Sequence, residues 1–169
     1  MPQAYKSIRL FENPVLEAFS HIPPWLPGAV WAPVVGFFII RSLTVFLIPA
    51  PLFFALAGGA LLAWTLAEYL LHRFLFHYEA ASRAGRRFVY ILHGIHHDEA
   101  QDPTRLVFPP LAAAIFAAVF YGLFHLLLGP VNCQPFFAFF VAGYLWYDYT
   151  HFATHHWVME NPWAKMIKR

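Results

Sequence analysis

The sequence predicts an all-α integral membrane protein: four transmembrane helices in two hairpins, with a histidine-rich cap on the cytoplasmic side. Three observations carry this prediction. The 169 residues are 60% apolar and 20% aromatic, and only 12% are charged, against about 25% in soluble domains. Four segments are apolar over about the 17 to 25 residues that a helix needs to cross the hydrocarbon layer. Apart from Arg41, the charged residues lie in the termini, in the central stretch or near the helix ends on one side. A water-soluble fold of this size could not hide so much apolar surface, so the chain reads as one membrane domain spanning residues 1–169. A net charge of +2 without any lysine or arginine run argues against a nucleic-acid partner.

The elements follow in order. The first twenty residues carry Lys6, Arg9, Glu12 and Glu17 with no continuous apolar core, which is not the pattern of a cleavable signal. The first span is expected at about 26–45 and the second at about 51–71. The third runs over 111–128, opened by Pro109 and Pro110 and closed by Gly129 and Pro130, and the fourth over 136–152. Proline before a helix and glycine after it are the expected punctuation. Short uncharged links join spans one to two and three to four. Both termini and the long polar stretch 72–110 therefore fall on one side, and residues 72–110 and 153–169 form the cap. The positive-inside rule makes that side cytoplasmic; Arg41 is expected to snorkel at the opposite interface. The single cysteine, Cys133, rules out an internal disulfide framework.

Eight of the ten histidines fall into three clusters. "HRFLFH" holds His72 and His77, "HGIHH" holds His93, His96 and His97, and "HFATHH" holds His151, His155 and His156. The topology brings all three to one membrane face. Residues three and four apart share a helix face, so His93 with His96 and His97, and His151 with His155, can each aim at one point. His72 and His77 are five apart, about 140° round an ideal helix. They either grip different metals or sit where the helix loosens. His156 points about 100° away from the His151/His155 face and is the weakest member. A lone histidine on an apolar helix is usually a hydrogen-bonded core or interface residue, but three clusters at one depth point to a transition-metal site. Haem would use single axial histidines on separate helices, a zincin needs HExxH, and a transporter would bury its ligands near the midplane. Glu68, four before His72, and Asp148, three before His151, are placed to accept the distal N–H of a ligand imidazole. His125 reads as interfacial, and His21 is assigned no ligand role.

The stretches "EYLLHRFLFH", "HGIHHD", "RLVFPP" (105–110) and "GYLWYDYTHF", in this order and spacing, resemble the membrane fatty acid hydroxylase and sterol desaturase superfamily, most closely its fatty acid 2-hydroxylase branch. "IRLFENPVLEAFSHIPPW" near the start resembles that branch too. The resemblance implies a four-span enzyme with a histidine-ligated dimetal centre on the cytoplasmic face. Iron fills it in the active form, and zinc can replace iron in a purified sample. Such an enzyme uses O2 and an external electron donor, a cytochrome or ferredoxin with its reductase, to hydroxylate a membrane lipid's acyl chain beside the carbonyl. The membrane is the endoplasmic reticulum in a eukaryote or the inner membrane in a bacterium.

The family carries a further HxxHH cluster after the fourth span, and this sequence stops at "WAKMIKR" about where it begins. The expectation is therefore a record truncated before its last ligands. Some eukaryotic members of that family carry an amino-terminal cytochrome domain; none is read in this sequence, and the expected donor is one acting in trans. Two alternatives stand beside this reading: another oxygenase of the superfamily, such as a sterol or carotenoid hydroxylase or a desaturase, and a truncated non-catalytic metal-binding paralogue. Acyl length, carrier, stereochemistry and oligomeric state are not encoded legibly.

Overall fold

The computed structural model describes residues 7–158 and 160. "WAKMIKR" and most of the expected 153–169 cap segment lie outside the described residues. Among these, all regular structure is helical: α1 (Pro14–Phe19), α2 (Leu26–Thr44), α3 (Ala50–Leu71), α4 (Arg83–Val89), α5 (Ile95–Asp98) and α6 (Pro110–His156), with π-helical turns at His72–Phe76 and Tyr90–Gly94. Proline occupies the first turn of α1, α2, α3 and α6, where its missing N–H costs nothing.

By length and composition, α2, α3 with its π turn, and α6 could each cross a membrane. The third and fourth expected spans lie end to end within the 47-residue α6, which is two helices joined at a break. The break falls at Gly129, whose φ of 75° and ψ of 173° leave the helical region. A residue with a side chain rarely adopts that φ, and Pro130 next to it has no N–H with which to continue the ladder. The chain turns back on itself there. Phe124 meets Phe136 with ring centroids 4.8 Å apart, Phe120 meets Phe140 at 4.7 Å, and Tyr121 meets Phe137 at 5.1 Å. Paired residue numbers that rise on one side as they fall on the other mark two antiparallel arms.

The second arm of α6 is the centre of the bundle. Trp31 and Phe38 of α2 meet Tyr144 and Phe137, so α2 runs antiparallel to it. Gly59 and Trp64 of α3 meet Phe136 and Gly143, so α3 runs parallel to it. That parallel pairing carries the ends of α3 and α6 to the same end of the bundle. Ala60, Cys133, Phe137, Phe140 and Val141 form the buried core. The outer faces are apolar as well: Leu62, Leu111 and Leu126 are 74%, 80% and 83% exposed. Large apolar side chains left open on this scale mark a surface made for lipid. Arg41 lies over the rings of Phe37 and Phe46, which shield its stem as a snorkelling arginine requires.

Candidate metal centre

Seven of the eight expected ligands converge at that common end. The π turn after α3 resolves the five-residue spacing of His72 and His77. The His77 amide donates to the His72 carbonyl at 3.2 Å, an i→i−5 bond that widens the turn. The fifth residue then comes round beneath the first, and the two Nε2 atoms lie 3.1 Å apart. A second π turn, closed by the Ile95 amide on the Tyr90 carbonyl, sets up the central cluster. His93 and His97 follow with Nε2 atoms 3.0 Å apart. Gly94 is required there because a Cβ would stand 2.8 Å from the Tyr90 ring. From α6, His151 brings its Nε2 to 2.9 Å from that of His96.

These pairs are the fit test for a metal. Nitrogens each about 2.0–2.1 Å from a shared ion are themselves roughly 3 Å apart, and these pairs have that separation. Three groups have ligand atoms within 4.8 Å of one another: His72 with His77 and His93, His93 with His96 and His97, and His96 with His151 and His155. The first and third share no member, and His97 remains beside both His93 and His77. His156 stands apart, stacked on Phe152 at 4.7 Å. Its expected place among the ligands is not reproduced, because one further residue of helix turns it away from the face of His151 and His155.

Burial keeps His93 and His96 neutral. Burial pushes His93 down to about 3, helped by any charge on His72, His97 and His77. His96 also falls to about 3, through burial first and then His151, His93 and His97. A neutral imidazole keeps the lone pair that a metal needs. Glu68 reaches back from α3, with an oxygen 3.5 Å from His72 Nδ1, and hydrogen-bonds Tyr147. Asp148 does not hold His151 in this way. Its Oδ1 accepts the Phe108 amide at 3.1 Å, tying the loop before α6 to the helix.

The site has an apolar side and an open side. A cavity of about 810 Å3 reaches His72, His93, His96 and His151, of which His96 is buried and the others half-buried. His77, His97 and His155 are exposed and do not line it. Phe76, Phe108, Phe116, Phe120 and Phe140 are among its walls. Neither the cavity nor the role of Arg105, whose side chain is 1% exposed, was evident in the sequence; "RLVFPP" marked the right stretch without assigning the arginine a partner. His125 lies away from the cluster, 3.8 Å from Cys133 Sγ at the α6 turn. His21 serves the amino-terminal network, hydrogen-bonding Thr104.

The sequence profile described as fatty acid hydroxylase matches residues 57–169. A dihydroceramide fatty acyl 2-hydroxylase of Arabidopsis thaliana, FAH2, is 37% identical over 95% of this chain and 68% of its own length. The fatty acid 2-hydroxylase of Rattus norvegicus is 34% identical over 89% of this chain, which spans 45% of that protein. A solved structure described as full-length scs7p, with only the hydroxylase domain visible, superposes with a TM-score of 0.86 at 34% identity, over 94% of this chain and 60% of that one. With the profile covering most of the sequence and the ligand histidines inside the match, the chain belongs to the fatty acid hydroxylase family.

Proposed function

We propose that this protein hydroxylates a lipid acyl chain at the carbon next to the carbonyl, using O2 at a pair of transition metals held by His72, His77, His93, His96, His97, His151 and His155. The observation that carries the reading is the division of the imidazoles: the buried and half-buried ones face a long apolar cavity, and the exposed ones face outward. An acyl chain can fill the cavity while electrons and protons arrive from the water side.

When bound, the metals supply the oxygen activation that side-chain acids and bases lack. The balance is one C–H bond and O2, with two electrons and two protons from an external donor, giving C–OH and water. The chain's own residues do the rest. The phenylalanine walls exclude water from the acyl chain, Glu68 orients the His72 ring, and burial keeps His93 and His96 deprotonated. The two disjoint histidine groups match two metals, and iron is the one suited to this chemistry. A position beside the carbonyl follows the activity in the relatives' names, and a cytochrome or ferredoxin in trans is the expected donor.

The two arms of α6 are each long enough to cross the bilayer at 1.5 Å per residue, so with α2 and α3 they make four spans. The positive-inside rule applied to the charge distribution supports a cytoplasmic metal end. Expression of the complete coding sequence in cells without their own 2-hydroxylase tests the reading, with mass spectrometry of total lipid. The appearance of 2-hydroxy acyl chains, lost with His96→Ala, is expected. Altered sterols or carotenoids without 2-hydroxy lipids would assign the chain to another branch of oxygenases.

A further inference from the structure

Arg105 is buried at the metal end, yet the hydrogen bonds of its guanidinium all go to one short piece of chain 84 or more residues away. Nε donates to Ser7 Oγ at 3.3 Å, and Nη1 to the Ser20 carbonyl at 3.1 Å and its hydroxyl at 2.6 Å. Nη2 donates to the Ile8 carbonyl at 2.9 Å and to Glu17 Oε1 at 2.8 Å, and meets His21 Nε2 at 2.9 Å. Glu17 turns its other oxygen to the amides of Leu10 and Phe11, both at 2.9 Å. The Ile22 amide closes the far end on the Thr104 carbonyl at 2.8 Å.

The piece so held is a wall of the apolar cavity. Leu10, Phe11, Leu16, Phe19, Ser20 and Ile22 all line it, as do four of the histidines and the first residues of α6. Phe19, at 75% exposed, and Leu16, at 51%, stand at its rim. The other rim residues, Phe88, Leu111 and Ile115, are equally open at 60%, 80% and 65%. Five large apolar side chains that both line a cavity and face outward form a mouth suited to a lipid chain.

We propose that the amino-terminal segment 8–22, clamped by Arg105, is the wall that completes the acyl cavity, which makes Arg105 a positioning residue for lipid acceptance. This rests on the lipid-hydroxylase reading for the identity of the occupant. No hydrogen bond of the Arg105 guanidinium goes to one of the seven clustered histidines. Loosening it changes what the cavity holds and leaves the metals in place.

The test uses a ceramide with a mid-chain diazirine, photolysed with the intact protein in nanodiscs, and adducts mapped by mass spectrometry. Adducts within residues 8–22 are expected in the unaltered protein. They should be lost in Arg105→Gln and partly retained in Arg105→Lys, which keeps the charge facing Glu17. In 2-hydroxylation assays Arg105→Gln should raise KM about tenfold with little change in kcat, the signature of lost binding without altered chemistry, at unchanged metal content. Adducts confined to other regions of the unaltered protein overturn the proposal, as does a fall in kcat or in bound metal at constant KM. Adducts within 8–22 from a protein that forms no 2-hydroxy product support the wall and count against the hydroxylase reading alone.

Discussion

His96 and His151 are 55 residues apart in the chain, and their Nε2 atoms are 2.9 Å apart in the fold. One ring can donate to the other in the right tautomer, and with both Nε2 atoms unprotonated the same separation suits two ligands of one ion. His96 also belongs to two of the three ligand groups, whereas His97 and His155 each belong to one. Removing a group that merely orients a ligand weakens metal binding by about 10–100-fold, and removing His96 itself should exceed that. Metal analysis of purified protein is expected to show His96→Ala losing more metal than His97→Ala, with His156→Ala unchanged. Equal loss from His156→Ala and His96→Ala would contradict the grouping.

Much of this centre was legible in the sequence because imidazoles are costly in an apolar chain and hairpin arithmetic gathers them at one end. The union of His72 with His77 was not, since an ideal helix places them on different faces and a π turn has no marker in residue type. The α6 turn was legible: Gly129 and Pro130 announced a break, and the chain reverses there. The Arg105 clamp was hidden for a different reason. Its partners are two carbonyls, two serines, Glu17 and His21, 84 or more residues away with no periodicity to announce them.

Glu68 is the carboxylate that reaches a ligand, through His72 Nδ1 at 3.5 Å. Glu68→Gln keeps the shape and removes the acceptor charge that fixes the ring's tautomer. Metal affinity is expected to fall about 10–100-fold, read by competition with a chelator. An unchanged affinity would reduce Glu68 to a partner of Tyr147.

Gly143 lies against the Trp64 ring, where an added Cβ would meet three carbon atoms at 2.8, 2.9 and 3.0 Å. Gly143→Ala should separate α3 from α6 and cost about 1–3 kcal/mol by overpacking. Gly122, with nothing within 4 Å of its Cβ position, should accept alanine without loss. Thermal denaturation in detergent distinguishes them; equal melting temperatures would mean that the helices slide without penalty.

The amino-terminal segment should respond to acid. Burial pushes the Glu17 carboxyl up, but the Phe11 amide, the Arg105 guanidinium and the Leu10 amide outweigh it and hold the group below its ordinary 4.5. A carboxyl lowered in the fold stabilises the fold above its unfolded value and loses that contribution as pH falls through the folded one. Hydrogen exchange at the Leu10 and Phe11 amides, corrected for intrinsic rates, should therefore accelerate below about pH 4.5. Protection that persists to pH 3 would show that Glu17 is not what holds them.

The widened turn at His72–Phe76 also bears on how much chain-length change the centre can absorb. A π turn amounts to one surplus residue in an α-helix. Deleting one of residues 73–76 would return the stretch to ordinary helical spacing, with the two imidazoles four apart and still side by side. The pair of donors would survive such a deletion.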